Sequence, residues 1–466
     1  MAPAGLLEDP SGFVICGVLG AALTLIAFVR KGTPAWRYWC FILGQTILLT
    51  APLAAHLNRY VYGSYPTIDK EGSLLFFREG VHRNMMLHPF ESLTDPAARL
   101  IGVHVGHLWV TDLFHLFYSA FGAFNVQALL YPALGWWAAW LLIRDVCGDR
   151  RAALVLAFPY GLGLHVFRDL NWYTIEKAAV FWLPLFLWAL HRAHKRGGRW
   201  VGIAAALFAL TCWMNLYLGL VAGLMAGMAL AVHYGAAFVY SRMETPTVRL
   251  APPTHHGLAK AVFLSALFAL PLAIWQWMLL QGEMALASPE TFLWERAALD
   301  GFSLVPFRWN RLEVHRALNM VALGLAMLGM WKSWSDRRVR WAACMAAILF
   351  LLSIGPVLLP GPIENPLYFC AKALIPGFWR VAKPEVFFQG SWLLLLCIGA
   401  IEVSRIRKLR AVPHNQKGMV LLYLLFLGAW CIMVRTHPAF PPMTQQIESD
   451  LAPDWDSHVF PSQGSQ

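Results

Sequence analysis

The sequence predicts an all-α membrane protein, a polytopic bundle of about twelve transmembrane helices with 11 to 13 as the range. Hydrophobic residues make up 58% of the 466 residues and charged residues only 14%, whereas soluble domains have about 25% charged residues. Mean hydropathy is +0.53. Apolar runs recur along the chain, and Lys and Arg crowd the short connections between alternate runs.

Each predicted span combines low charge with a length close to that of a bilayer-crossing helix, and aromatic flanks extend the shorter ones. The twelve runs are 12–29, 39–57, 124–143, 152–167, 178–190, 201–216, 218–239, 261–280, 317–331, 341–359, 386–403 and 419–434. They define one transmembrane domain over residues 1–435, followed by a tail over 436–466. The N-terminal stretch MAPAGLLEDPSG has two acids and neither Lys nor Arg, which favours a retained first helix over a signal peptide.

The distribution of charge orients these spans. The odd-numbered connections hold 22 of the 37 Lys and Arg residues but only five of the 26 Asp and Glu residues. By the positive-inside rule, these connections are cytoplasmic and both chain termini are extracytoplasmic. The net charge of +11 therefore reflects membrane topology, and no nucleic-acid partner is expected.

The extracytoplasmic connections are the longer ones. Residues 58–122 form a very long loop, and residues 281–316 and 360–385 form two moderate loops. Long loops that carry function are held in place by a rigid scaffold. Chemistry or recognition is therefore expected at the outer membrane face.

The first long loop contains an amphipathic run that starts at His104. On a helical wheel, His104 and His107 share a polar arc with Asp112 at its edge, and the opposite arc is apolar. This pattern predicts a helix lying on the membrane surface. The same three residues are candidate metal ligands, with the solvated face of an interfacial helix as the alternative. The eight cysteines include no C-x-x-C pair, so neither a disulfide framework nor a thiolate zinc site is expected.

Several segments resemble the GT-C class of membrane glycosyltransferases, which take a sugar from a polyprenyl-phosphate carrier at the extracytoplasmic face. The segments are HPFESLTDPAARL, VQALLYPALGWWAAWLLIRDVCGDRRAALVLAFPYGLGLHVFRDLNW, FWLPLFLWALHRA and GFWRVAKPEVFFQGSWLLLL. They are similar to a loop with an "nPf" element, a helix pair broken by a small basic turn, a "W-x-P-L" helix and a late R-x-P-containing element in uncharacterised bacterial members. The resemblance covers roughly residues 65–400.

This resemblance implies a location in a bacterial inner membrane. The implied partners are a polyprenyl-phosphate-linked sugar donor, membrane lipids, and a glycan, lipid or protein acceptor. No cofactor is firmly implied, and a divalent cation, Mg²⁺ or Mn²⁺, stays open.

Sugar transfer from a phosphate carrier needs a base for the proton of the incoming nucleophile. The resemblance implies Asp69 as that base, because Asp69 matches the position of the first-loop acid of the class, and Glu71 as an assisting or acceptor-binding acid. Many members have adjacent acids, whereas here Lys70 stands between them. The alternative for Asp69 is a solvated turn residue or an ion-pair partner of Lys70.

Other outer acids are secondary candidates for binding the acceptor. Asp95 precedes Pro96 and equally fits the N-cap of a surface helix. Asp169 and Glu176 are seven residues apart and would share one face of a helix. The alternative is a local network of ion pairs with their basic neighbours.

Cations are needed for the departing lipid phosphate. Arg380 and Lys383 precede a span that runs inward, and the resemblance implies a phosphate role for a basic residue near the following proline. The alternative is that both extend to ordinary anionic headgroups. The lesser candidates for the phosphate are Arg308 and Arg311, followed by His165 with Arg168.

Three other functions remain open from the sequence. Twelve spans are ordinary for a transporter or lipid flippase, although no internal duplication is visible and the spans carry almost no ionisable residues. An O-antigen polymerase or ligase would share the lipid-linked donor and the outer-face chemistry. A noncatalytic member of an envelope assembly is the last alternative.

Overall fold

The computed structural model is all-α apart from one pair of short strands, and thirteen helices lie in the part of the chain that it describes. That part comprises residues 10–26, 35–50, 60–62, 110, 113–114, 116–117, 120–163, 166, 178–242, 257–281, 320–355, 364–375, 378, 386–409, 415–436 and 444–446.

The helices follow one another with short turns wherever the described residues are continuous. In chain order they are α1 (Pro10–Ile26), α2 (Ala35–Leu49), α3 (Ala120–Cys147), α4 (Arg150–Gly161), α5 (Trp182–Arg196), α6 (Arg199–Met214), α7 (Leu216–Arg242), α8 (Gly257–Gln281), α9 (Met320–Lys332), α10 (Arg337–Ile354), α11 (Pro366–Leu374), α12 (Val386–Leu409) and α13 (Asn415–Thr436). Strand β1 (Tyr60–Tyr62) pairs antiparallel with β2 (Thr444–Gln446).

Three of the described helices are long and apolar enough to cross a membrane. They contain the candidate spans Asn125–Cys147, Leu216–Tyr234 and Val386–Arg407. Five shorter apolar helices accompany them, at Val14–Ile26, Arg199–Met214, Gly257–Pro271, Val321–Lys332 and Gly418–Gly428. The structure thus supports a bundle of apolar helices, and the count of twelve spans stays a prediction.

Helices α3, α4, α5 and α12 form the centre of the bundle. The indole Nε1 groups of Trp136 and Trp140 donate hydrogen bonds from α3 to the α4 carbonyls of Leu154 (2.8 Å) and Arg150 (3.1 Å). These bonds satisfy the indole N–H groups of two bulky side chains that are at most 1% exposed. The contact between α3 and α4 therefore combines aromatic packing with hydrogen-bonded indole N–H groups.

The peripheral helices α1, α2 and α13 are joined by one polar chain. Tyr423 on α13 donates to Gln45 Oε1 on α2 at 2.6 Å, and Gln45 Nε2 donates to Thr24 Oγ1 on α1 at 3.0 Å. At the same crossing, Gly20 and Gly44 bring the α1 and α2 backbones together, and a Cβ on Gly20 would lie 2.9 Å from Gly44 O. Small residues and interhelical hydrogen bonds are the usual means by which membrane helices associate.

The outward faces of these helices carry large apolar side chains. Exposed examples are Val18 on α1, Phe263 and Phe268 on α8, and Leu421 and Leu424 on α13. Extended apolar surface of this kind is rare on soluble monomers. It fits a bundle whose outer face contacts lipid.

Candidate functional site

All the side chains that the sequence nominated for chemistry lie outside the described residues. These are Asp69, Glu71, Asp95, His104, His107, Asp112, His165, Arg168, Asp169, Glu176, Arg308, Arg311, Arg380 and Lys383. The described residues nevertheless define the helix ends from which two of these segments extend.

The connection 167–177 contains Asp169 and Glu176, and its flanking residues Val166 and Ala178 are both 0% exposed. The connection 379–385 contains the basic pair of the R-x-P element, and Phe378 before it is also fully buried. Both connections thus leave from side chains fixed in the core.

The described helix ends next to these two connections lie at the same end of the bundle, because α4 and α12 pack antiparallel. Arg407, near the C-terminal end of α12, is ion-paired with Asp149 at the start of α4. Further along, a Cβ on Gly399 would lie 3.4 Å from Leu156 Cδ1. The C-terminal end of α4 and the N-terminal end of α12 therefore lie at one end of the bundle, here called the distal end. The start of α5 joins them, since Tyr160 Oη donates to Val180 O at 3.2 Å.

The distal end of α12 carries two buried polar groups that sequence analysis did not nominate. Gln389 is 8% exposed and Trp392 is 2% exposed, and they are one helical turn apart. Gln389 Oε1 and Trp392 Nε1 have no hydrogen-bond partner within the described parts of the chain. The only sequence signal was a glutamine inside the apolar run VFFQGSWLLLL.

A short helix, α11, packs beside this region within the predicted outer loop 360–385. Asn365 caps it by accepting a hydrogen bond from Tyr368 N (3.3 Å), and Asn365 Nδ2 donates to Leu351 O and Gly355 O at the end of α10. The rings of Tyr368 and Phe378 then pack edge to face with centroids 5.2 Å apart. The cap and the aromatic contact hold α11 against the end of α10 and against Phe378.

The opposite end of the bundle, here called the polar end, carries the turn 147–150 between α3 and α4, the turn 333–336 between α9 and α10, and the C-terminal end of α12. Ser404 Oγ donates to Cys147 O at 3.3 Å, and Arg338 Nη1 donates to Val146 O at 3.0 Å. These bonds join three connections that the sequence placed on one side of the membrane.

The acids at the polar end hold these turns in place. Asp149 accepts hydrogen bonds from Arg151 N (2.9 Å) and Ala152 N (3.2 Å), which caps α4, and it also pairs with Arg407. Asp145 accepts from Arg192 Nε at 2.6 Å and from Trp188 Nε1 at 2.9 Å, which ties α3 to α5.

The α9–α10 turn repeats this arrangement. Asp336 caps α10 through Arg338 N (2.8 Å) and pairs with the Arg338 guanidinium at 2.7 Å. The hydrogen bonds from Arg338 hold the pKa of the Asp336 carboxyl below its usual value. Glu402, 1% exposed, accepts from Ser333 Oγ at 2.7 Å and from Arg405 Nη2 at 2.8 Å.

Four of the five acids among the described residues are therefore engaged in ion pairs at the polar end. The fifth, Glu364, is exposed and lies just before α11. Within the described ranges, no group of three or more His, Cys, Asp or Glu side chains is arranged to hold a metal ion. The described acids of the polar end thus serve to hold its turns together.

Comparison of the chain with protein-family models, with curated proteins and with solved structures found no match.

Proposed function

We propose that the protein is a GT-C-type glycosyltransferase of a bacterial inner membrane. It moves a sugar from a polyprenyl-phosphate carrier to a glycan, lipid or protein acceptor at the extracytoplasmic face. The observation that carries the proposal is the contrast between the two ends of the bundle. The described carboxylates at the polar end are engaged in structural ion pairs. The resemblance to the class, by contrast, assigns the functional acids and cations to predicted loops, and two of these loops follow or precede described residues of the distal end.

A helix bundle whose polar end is held together by ion pairs is a suitable scaffold for this reaction. The lipid-linked donor reaches its enzyme within the bilayer, and the apolar outer faces of the bundle favour contact with a prenyl chain. The described residues that flank the connections 167–177 and 379–385 lie at the same end of the bundle, which supports a shared site for the two connections.

In the proposed reaction, Asp69 accepts the proton of the acceptor nucleophile as that nucleophile attacks the anomeric carbon of the sugar. The bond between that carbon and the phosphate oxygen breaks, and polyprenyl phosphate leaves. Arg380 and Lys383 stabilise the negative charge on this phosphate. Glu71 assists the base or binds the acceptor.

The test uses the purified full-length protein in nanodiscs with a polyprenyl-phosphate-linked sugar. The wild type should release polyprenyl phosphate, and Asp69→Asn should lower that rate by at least about a hundredfold, the range expected for the loss of a general base. Glu364→Gln is the matched control, since it makes the same carboxylate-to-amide change at an exposed site in a predicted outer loop and should keep the rate.

Two results would contradict this proposal. Release that survives Asp69→Asn would remove Asp69 from the role of base. Movement of intact donor across the bilayer without release of polyprenyl phosphate would favour the flippase alternative. Parallel assays with Mg²⁺ and with EDTA test whether a divalent cation takes part.

A further inference from the structure

Exposed cations and indole rings occur together at the α9–α10 turn of the polar end, in the sequence WKSWSDRRVRW. We define the basic–aromatic patch as Trp331, Lys332, Trp334, Arg337 and Arg340. All five side chains are exposed, with Trp331 at 75% and Trp334 at 50%. Exposed indole rings beside cations are typical of the membrane interface.

No described acid forms an ion pair with the cations of this patch. Two described acids at this turn are already engaged, Asp336 by Arg338 and Glu402 by Arg405. Within the described parts of the chain, the structure gives Lys332, Arg337 and Arg340 no ion pair. Three positive charges are therefore available to a partner at this turn.

The geometry of the patch combines charge with an interfacial anchor. Arg337 and Arg340 are three residues apart on α10, so they lie on neighbouring positions of one helix face. Lys332 Nζ lies 4.3 Å from the centroid of the Trp331 ring, which brings the ammonium and the exposed indole together. Indole rings favour the headgroup level of a bilayer, where the polar N–H remains hydrated and the ring contacts acyl chains.

We propose that this basic–aromatic patch binds the phosphate headgroup of an anionic phospholipid. Arg337, Arg340 and Lys332 contact the phosphodiester, and Trp331 and Trp334 contact the adjoining glycerol and acyl chains. The proposal does not depend on the glycosyltransferase assignment, because it requires only that the bundle lies in a membrane.

A second basic turn of the described chain serves as a control. Lys195, Arg196 and Arg199 are exposed at the α5–α6 turn. The aromatic partners there are engaged in packing, since Trp188 and Trp200 have ring centroids 5.2 Å apart and both stack with Arg192. That turn has the same number of exposed cations but lacks the exposed indole rings.

The experiment measures lipid binding to the full-length protein in a neutral detergent by native mass spectrometry. Dioleoyl phosphatidylglycerol should bind more tightly than dioleoyl phosphatidylcholine. Each cation near an anionic headgroup contributes about fivefold in affinity, so the combined change Lys332→Gln, Arg337→Gln and Arg340→Gln should weaken phosphatidylglycerol binding roughly a hundredfold. Phosphatidylcholine binding should weaken much less in this triple variant, because the choline ammonium offsets the charge of its phosphodiester.

The control triple Lys195→Gln, Arg196→Gln and Arg199→Gln should weaken phosphatidylglycerol binding by less than about fivefold, because it leaves the patch intact. The double change Trp331→Ala and Trp334→Ala should weaken both lipids and preserve the preference for the anionic one. Melting temperatures of all variants, measured without added lipid, should stay close to that of the wild type, since the changed side chains are exposed and their ring contacts, Lys332 with Trp331 and Arg199 with Trp200, lie at the surface.

Three outcomes would overturn the proposal. One is equal binding of the two lipids by the wild type, and another is an equal loss of phosphatidylglycerol binding in both triple variants. The third is full competition by glycerol 3-phosphate, which has no acyl chains and would identify a site for a free phosphate ester instead of a lipid.

Discussion

Glu402 is a carboxylate in an almost dry position, 1% exposed, while its partner Arg405 is 41% exposed. Ser333 Oγ supplies the second donor to this carboxylate, and Arg405 Nη1 also donates to Lys332 O at 3.1 Å. A buried charge is tolerated only where such partners are all present. The pair is therefore asymmetric, because the buried carboxylate needs the arginine as its counter-charge, whereas the arginine is also solvated by water.

Glu402 is the more buried residue of the pair, but this asymmetry predicts that the mutation of Arg405 costs more stability. Arg405→Gln should lower the free energy of unfolding by about 3–5 kcal/mol, because it leaves a buried carboxylate without its cation. Glu402→Gln should cost less, since Arg405 then keeps its contact with water and the amide oxygen can still accept from Ser333. Thermal unfolding in detergent, followed by tryptophan fluorescence, measures both changes.

The double variant Arg405→Gln with Glu402→Gln is the control for this pair, and it should recover part of the loss caused by Arg405→Gln alone. A larger loss from Glu402→Gln than from Arg405→Gln would show that the carboxylate is sufficiently held by Ser333 and the α12 backbone.

The α3–α4 hairpin depends on a close backbone crossing. A Cβ on Gly161 would lie 2.5 Å from both Pro132 O and Trp136 Cα, and these atoms belong to the backbone of α3. A Cβ on Gly135 would lie 3.1 Å from Gly161 Cα and 3.4 Å from Val180 Cγ2. The first approach leaves no room for a methyl group, whereas the second needs a shift of a few tenths of an ångström.

We therefore expect Gly161→Ala to destabilise the protein by about 3 kcal/mol and Gly135→Ala by about 1 kcal/mol. Gly202→Ala on α6 is the matched control, because no atom of another described segment lies within 4 Å of its added Cβ, and the gain in helix propensity makes it neutral or slightly stabilising. Unfolding midpoints in the same detergent give the ranking. Equal midpoints for Gly161→Ala and Gly202→Ala would contradict the close crossing.

Local sequence patterns predicted the apolar helices, since length and hydropathy are properties of one segment at a time. They missed α11, although Asn365 followed by Pro366 is an ordinary signal for a helix start. They also continued the fourth span to residue 167, whereas α4 ends at Gly161. The run after Gly161 remains apolar, so hydropathy alone could not mark this end.

The ion pairs of the polar end that join residues far apart in the sequence were beyond sequence reasoning. Asp149 and Arg407 are 258 residues apart, and only the antiparallel packing of α4 against α12 brings them together. The same limit applies to Gln389 and Trp392, whose burial depends on neighbouring helices. The nominated residues Asp69, Arg380 and Lys383 rest on the resemblance to the class, and their roles stay predictions.

At the scale of the whole molecule, the two ends of the bundle differ in chemistry. The polar end joins the α3–α4 turn, the α9–α10 turn and the end of α12 through ion pairs and side-chain hydrogen bonds. These connections are among the odd-numbered ones, which are rich in Lys and Arg and which the positive-inside rule assigns to the cytoplasm. The structure adds that these connections are close in space, so one orientation of the bundle places all of them on the same side of the membrane.

That orientation predicts opposite labelling of two thiols in spheroplasts. Cys370 is exposed on α11, in a predicted outer loop, so a membrane-impermeant maleimide should label it in intact spheroplasts, and Cys370→Ser should abolish that labelling. In the Cys370→Ser background, Ser335→Cys adds a thiol to the exposed α9–α10 turn at the polar end. It should be labelled only after the membrane is permeabilised, because charged reagents do not cross the bilayer core. The reverse pattern would invert the bundle and move the proposed glycosyl transfer to the other face of the membrane.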